Sequence, residues 1–423
     1  MNLFRLLSRH RHFNVATPQA VARLKRYRPF ISSRYSTENP DVASAGVDPH
    51  LHCLLHGYKE TGRRLFEVTE LASCIGSVSS MPFQAAPLPK NGPFAFTVAI
   101  IYGSRGNLFM KYIALELSRA LKKVGVKTSL LNERDDPHTK FDHRIIIAPH
   151  EFFYDGRGDK WLSKKILKES IILSTEQLQT PWYRQSLPFL FAAKGVIDMF
   201  YHSMLLLSEC GIPTIHYVPD PDVAIPDPDN QDFSRHPLFN VLDAACKQSP
   251  DINRPFLERP IDVSFFGTES PHRDRVLARC APTLAKLDSF VYYRRLERGP
   301  PVEEDGPLVP LASHVSGHSK ISLNIHRDHF GAFEWVRIVQ QGICTGALVL
   351  SETSLPVPGL QAGLHYIETD SRHMGEMIEW LIKDPDGQRE AERVRLAGVN
   401  TLREAHKQNA AAIRVASFLE ELK

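Results

Sequence analysis

A chain of 423 residues is too long for one ordinary core and about right for two domains with an extension. Hydrophobic residues at 43% and charged residues at 23% exclude a wholly disordered and a fibrous chain. With 51 basic and 48 acidic side chains the net charge is +3, too small a field to select nucleic acid, so none is expected as partner and only a local patch for phosphate stays open.

The first 37 residues carry Arg5, Arg9, Arg11, Arg23, Lys25, Arg26, Arg28 and Arg34 and no Asp or Glu, interspersed with Leu3, Phe4, Leu6 and Leu7. Two readings stay open: a mitochondrial presequence ending near Arg34-Tyr35-Ser36, or a basic, loosely ordered terminus of a cytoplasmic protein that touches anionic membrane. On either reading this stretch is expected to be dispensable for folding. The pattern stays weak to Pro93, with Pro82, Pro87 and Pro89 before it, so residues 1–93 are read as an extension, partly disordered, with a helix or two.

The β-branched run Phe96 to Tyr102, followed by Gly103-Ser-Arg-Gly106, predicts a buried strand and a tight turn. Leu108, Tyr112, Leu115, Leu121 and Val124 then recur at helical spacing up to Gly125, a helix stop. Strands are predicted near 126–131, 144–148, 171–174 and 214–218, with helices near 160–169 and 202–210. This alternation predicts a parallel sheet covered on both faces, a first Rossmann-like domain over 94–220.

Residues 221–260, opened by the repeats Asp220-Pro221 and Asp227-Pro228, read as the interdomain connection. The second series, over 261–423, starts with a strand at 261–266, Gly267-Thr268 as its turn and a helix over 273–287. Strands near 290–293, 321–325 and 347–350 follow, with a helix over 333–342, a surface loop over 299–306 and helices from 373 to the end. The fold class is therefore α/β, two Rossmann-like domains facing a cleft, with a basic N-terminal extension.

Six cysteines, Cys53, Cys74, Cys210, Cys246, Cys280 and Cys344, stand far apart with no C-x-x-C pair, which gives neither a zinc site nor a disulfide framework and fits a reducing compartment. The longest apolar runs, such as 96–102, fall short of the ~18 residues that span a bilayer.

Ligands of open parallel sheets bind beyond the carboxyl ends of the strands, which directs attention to Gly103 to Asn107, His150, Glu151 and Glu176 in the first domain and Gly267, Thr268, His326, Arg327, Ser351 and Glu352 in the second. Gly267-Thr268 before a helix opening at Pro271-His272-Arg273 has the parts of a phosphate site, and equally those of an ordinary βα turn. Glu334, Arg337 and Gln341 share one face of a helix, where they hold ligand hydroxyls or form a surface ion pair. His150-Glu151 supplies a base at the cleft or a loop pair without catalytic duty. His326-Arg-Asp-His329 lacks the Asn that a kinase loop requires five positions after Asp328, and no carboxylate pattern accompanies its histidines, so no metal is expected. The Gly-rich turns do not complete G-x-G-x-x-G, which disfavours a nicotinamide cofactor; no cofactor is expected.

Ser319-Lys-Ile-Ser-Leu-Asn-Ile-His-Arg327, Phe333-Glu334, Gly346-Ala-Leu-Val-Leu-Ser-Glu352 and Gly363-Leu-His-Tyr366 together resemble the C-terminal domain of group-one glycosyltransferases, in their spore-maturation-like branch. The resemblance covers about residues 260–420 and implies a glycosyltransferase-B fold and transfer of a sugar from a nucleotide-sugar donor to a glycan, lipid or protein acceptor, without metal. It implies that the N-terminal domain holds the acceptor, with Gly267 and Arg273 at the diphosphate and the Glu334-to-Gly346 segment at donor sugar and ribose; with the strand-end residues added, Gly267, Thr268, Arg273, His326, Arg327, Gln341, Gly346 and Glu352 are the expected donor-binding residues and Glu334 and His150 the expected catalytic ones. Gln341 stands where the family pattern has Glu, so either Glu334 takes that role or Gln341 substitutes for it. A non-catalytic glycan- or nucleotide-binding protein and a nucleotide-sugar epimerase are the alternatives.

Overall fold

A computed structural model describes residues 16–60, 65, 68–75, 94–105, 107–155, 158–219, 233–295 and 308–423. The Asp-Pro repeats, the proline-rich end of the extension, Gly106 and the 299–306 loop lie outside them.

The first sheet contains β1 (Thr97–Tyr102), β2 (Lys127–Asn132), β3 (His143–Ile147), β4 (Ser170–Ser174), β5 (Gly195–Asp198) and β6 (Thr214–His216), in the order β2-β1-β3-β4-β5-β6. The second contains β7 (Ile261–Thr268), β8 (Ser289–Arg294), β9 (Ser319–Asn324), β10 (Leu348–Glu352) and β11 (Ile367–Thr369), in the order β11-β10-β9-β7-β8. Every pairing is parallel. Val, Ile and Leu fill β1, β3 and β4, whose inner residues are buried on both faces, as a sheet covered on two sides requires. The expected α/β architecture of two Rossmann-like sheets is therefore present.

In each sheet the chain reverses direction once, so the strand order switches between β1 and β3 and again between β7 and β9. At such a switch point the loops leave in opposite directions and open a crevice. The helix Leu108–Lys123 begins where the Asn107 side chain accepts from the Phe109 amide, and the chain leaves it through Gly125 at φ +93°. The helix Pro271–Leu284 begins on Ser270, with proline in its first turn.

Gly267 and Thr268, expected in a turn, are the last two residues of β7. The helix expected over 333–342 is a π-helical segment, Val336–Gly342, and Glu334 precedes it. Two elements were not foreseen in the first domain: β5, only four residues long, and the helix Pro181–Ala192, which contains Pro188 and is buried over Ser186 to Ala192. A helix apolar all round shows no amphipathic period.

The last helix, Ala410–Glu421, corrects the expectation that 261–423 forms one domain. Ala412 packs on Ala120, and an added Cβ at Gly195 would meet Leu422 at 2.9 Å and Phe418 at 3.1 Å, so the chain ends on the first domain.

Against the expected dispensability of residues 1–37 stands the packing of their described part, 16–37, on the first domain. In the helix Pro18–Arg26, Ala20, Arg23 and Leu24 are buried, and Ala20 and Leu24 join Tyr27, Phe30 and Tyr35 in one apolar cluster with Tyr183, Phe189 and Phe191. Arg23 Nη1 donates to the carbonyls of Phe191 at 2.7 Å and Ala193 at 2.8 Å, the carboxyl end of the helix Pro181–Ala192. There a cation satisfies orphan carbonyls and opposes the helix dipole. Among the described residues no helix is long and apolar enough to cross a membrane.

Candidate functional site at the facing switch points

The first wall is built at the ends of β1, β3 and β4. Beyond β1, Ser104 donates its amide to Glu133 Oε2 at 2.8 Å, and Asn107 donates its amide to Glu151 Oε2 at 2.9 Å. Glu133 is buried, which raises its pKa, yet the Ser104 hydrogen bonds outweigh burial and hold it below the ordinary value. Beyond β3, Ala148 takes a left-handed φ of 48°, and its carbonyl accepts from the amides of Glu151 and Phe152. That conformation costs an alanine about 1–2 kcal/mol. It turns the chain so that His150 and Glu151 follow the strand end directly.

His150 is 2% exposed; its Nδ1 lies 3.2 Å from Ser186 Oγ and its Nε2 lies 3.4 Å from Glu176 Oε1. Burial pushes the imidazole down to about 4, so the ring is neutral. Glu176, just beyond β4, is pushed up to about 8, first by burial and then by the charges of Glu151 and Glu334. At neutral pH it holds its proton.

The second wall is built at the ends of β7, β9 and β10. Arg273, expected at the diphosphate, is 2% exposed and donates Nε to the Ile325 carbonyl at 3.0 Å and Nη1 to the Thr268 carbonyl at 2.9 Å. It ties together the two strand ends at the switch point. Gly267 lies beside it, where an added Cβ would meet the Phe265 ring at 2.6 Å. Glu352 accepts from His272 Nε2 at 2.8 Å and from the His326 amide at 2.8 Å. His326 is 7% exposed, with Nε2 3.2 Å from the Thr353 carbonyl, so this group consolidates the wall.

Glu334 and Arg337 face the first domain. Their side chains are 18% and 16% exposed, and Arg337 Nη1 lies 3.3 Å from Glu334 Oε2 while its Nε donates to the Phe266 carbonyl. Burial lowers the pKa of Arg337, and the charge of Glu334 opposes that shift.

Direct contacts join the walls. Gln177 Nε2 donates to Glu334 Oε2 at 2.9 Å, Gln179 Nε2 reaches Asp328 Oδ2 at 3.3 Å, and the Arg327 guanidinium stands 5.0 Å above the Trp182 ring. Beside Glu334 lies an apolar pocket between the two domains, lined by Leu178, Met199, His202, Phe330, Phe333 and Leu355 among others. Glu151, Glu176, Arg327, Glu334 and Arg337 thus form one charged cluster with His150 behind it.

Gly346 lies elsewhere. The Gln341 carbonyl accepts from Thr345 Oγ1 at 2.8 Å, and Gly346, at φ +79°, precedes β10 at the amino edge of the sheet. An added Cβ at Gly346 would meet Arg259 Nη2 at 2.6 Å, and the Gly346 carbonyl accepts from Arg395. Sequence reading did not single out Gln177 or Glu133; their signal was position, since each is polar and follows a strand end. Among the described residues no group of three or more His, Cys, Asp or Glu side chains is arranged to hold a metal ion.

No family model matches the chain, and no curated protein matches it. Among solved structures, Anabaena HepE in complex with UDP-glucose is similar at 10% identity and a TM-score of 0.42, over 77% of this chain and 99% of that one. An α-glucosyltransferase in complex with UDP and a 13-mer DNA is similar at 10% identity and a TM-score of 0.42, over 76% and 100%. An α1,3-fucosyltransferase with GDP-fucose is similar at 10% identity and a TM-score of 0.38, over 80% and 93%.

Proposed function

We propose that this chain is a glycosyltransferase, of the spore-maturation-like branch of the group-one enzymes, that moves a sugar from a nucleotide-diphosphate-sugar to an acceptor hydroxyl. The observation that carries the reading is the meeting of two switch points across one cleft, where Glu334 and Arg327 of the second domain face Glu176 of the first, with Glu151 beside it. The motifs from Ser319 to Arg327 and from Gly346 to Glu352 support it from the sequence side.

In this reading Arg327 and Arg337 stabilise the charge that develops on the leaving diphosphate, because guanidinium groups beside a half-buried cleft act in a low dielectric. The Glu334 carboxylate, fixed by Gln177 and Arg337, stands where positive charge develops on the sugar ring. Thr268 and Arg273 build the wall that holds these groups in place.

The test is Glu334→Gln, which keeps shape and the contact to Gln177 but removes the charge. Turnover of the nucleotide-sugar is expected to fall by about 100-fold or more, a typical loss for one electrostatic group of a transition state. Unfolding free energy is expected to change by only about 1 kcal/mol, since the pair with Arg337 is partly solvated. Unchanged turnover together with a large loss of stability makes Glu334 a structural residue and removes it from the site.

A further inference from the structure

We propose that Glu176 is the residue that meets the reacting hydroxyl of the acceptor, and that it passes the proton on to His150 behind it. The inference rests on the glycosyl-transfer reading and adds to it a proton path and a catalytic residue in the first domain.

The ring orientation of His150 follows from its neighbours. Ser186 has one hydroxyl proton and donates it to the Trp182 carbonyl at 3.0 Å, so toward His150 its oxygen can only accept. His150 Nδ1, 3.2 Å away, therefore carries the ring proton. That leaves a lone pair on Nε2, which lies 3.4 Å from Glu176 Oε1 and 3.9 Å from Glu151 Oε1.

Burial decides which member of the pair touches substrate. His150 is 2% exposed, whereas the Glu176 side chain is 17% exposed and senses Glu334 and Arg327 across the cleft. An acceptor therefore reaches Glu176 and not the imidazole. The groups facing Glu176 are His150 and Glu151 beyond β3, the Thr175 hydroxyl beside it, and Arg327 and Glu334 from the second domain. Two carboxylates against one guanidinium favour the neutral acid.

A neutral carboxylic acid can accept a proton on one oxygen while it releases one from the other. As the acceptor oxygen bonds to the anomeric carbon, the acceptor O–H proton moves to Glu176 Oε2 and the proton on Oε1 moves to His150 Nε2. The bond from the anomeric carbon to the diphosphate oxygen breaks, and its electron pair leaves on the diphosphate. Glu176 ends neutral, and the imidazolium formed lies beside the carboxylate of Glu151. Glu176 is thus the catalytic residue of the pair and His150 a positioning residue and proton store.

The experiment is the pH profile of kcat/KM for the full chain and for Glu176→Gln and His150→Gln, with nucleoside diphosphate affinity measured alongside. For the wild type the rate is expected to rise through about pH 8, where Glu176 loses its own proton and its carboxylate takes the acceptor proton directly. Glu176→Gln is expected to lower turnover about 100-fold and to abolish that rise, with diphosphate affinity within about threefold of wild type. His150→Gln is expected to lower turnover about tenfold or more. A Glu176→Gln rate within about threefold of wild type, or a retained rise, overturns the proposal. Should the wild type turn over no nucleotide-sugar, the glycosyl-transfer reading itself fails, and the dyad is then judged by nitrogen NMR of His150. A deprotonated Nε2 at neutral pH with an inflection near pH 8, lost in Glu176→Gln, upholds the dyad, and no inflection overturns it.

Discussion

Deletion of residues 1–37 is expected to abolish cooperative unfolding of the first domain, measured by far-ultraviolet circular dichroism against denaturant. Leu24 and Tyr27 are each 1% exposed and lie in one cluster with Tyr183 and Phe191, while Phe30 and Tyr35 close the same cluster. Burial of an aliphatic or aromatic side chain is worth about 1.5–3 kcal/mol, so these four contribute roughly 6–12 kcal/mol as an upper estimate. That equals most of the roughly 5–15 kcal/mol that holds an ordinary domain folded. The deletion also removes Arg23, leaving the Phe191 and Ala193 carbonyls without their donor. A truncated chain that unfolds with the wild-type midpoint would show that this packing contributes nothing.

Replacement of Arg273 by methionine is expected to cost about 3–5 kcal/mol of stability. Methionine keeps the length and the apolar stem but leaves the Ile325 and Thr268 carbonyls unsatisfied in a buried place, at about 1–3 kcal/mol each, and removes the clamp across β7 and β9. Lysine is not expected to rescue it, because one ammonium cannot reproduce the planar fork that reaches two carbonyls. The check is a denaturation midpoint measured beside nucleoside diphosphate affinity. Were Arg273 a phosphate ligand and not a clamp, affinity would fall steeply and stability would hold.

Both results turn on arginines whose meaning a sequence hides. The stripe Ala20, Arg23, Leu24, Tyr27 has helical spacing, but one of its positions is an arginine among many, so the stretch reads as a basic tail. Arg273 sits where a phosphate ligand would, after a strand and at a helix N-terminus, and only its distances to Ile325 and Thr268 reveal its partners. The strands were legible because runs such as Thr97–Tyr102 and Ser170–Ser174 are β-branched and sharply bounded. The helix Pro181–Ala192 was not, since it is nearly all apolar and contains a proline. His150 and Glu176 were legible as polar residues just beyond strands and Glu334 as one face of an expected helix, but the pairing of Glu334 with Gln177, 157 residues away in the chain, carries no local signal. The spacing from Glu334 to Gln341 suggested one helical face; Glu334 instead precedes the π-helical segment Val336–Gly342, and Gln341 lies within it.

Incubation of the full chain with a panel of nucleotide-sugars, with free nucleoside diphosphate and sugar products quantified, tests the central claim most directly. Release of nucleoside diphosphate with transfer of the sugar to an acceptor or to water, lost in Glu334→Gln, is the predicted result. Binding without turnover, or isomerisation of the sugar while it stays on its nucleotide, would contradict it.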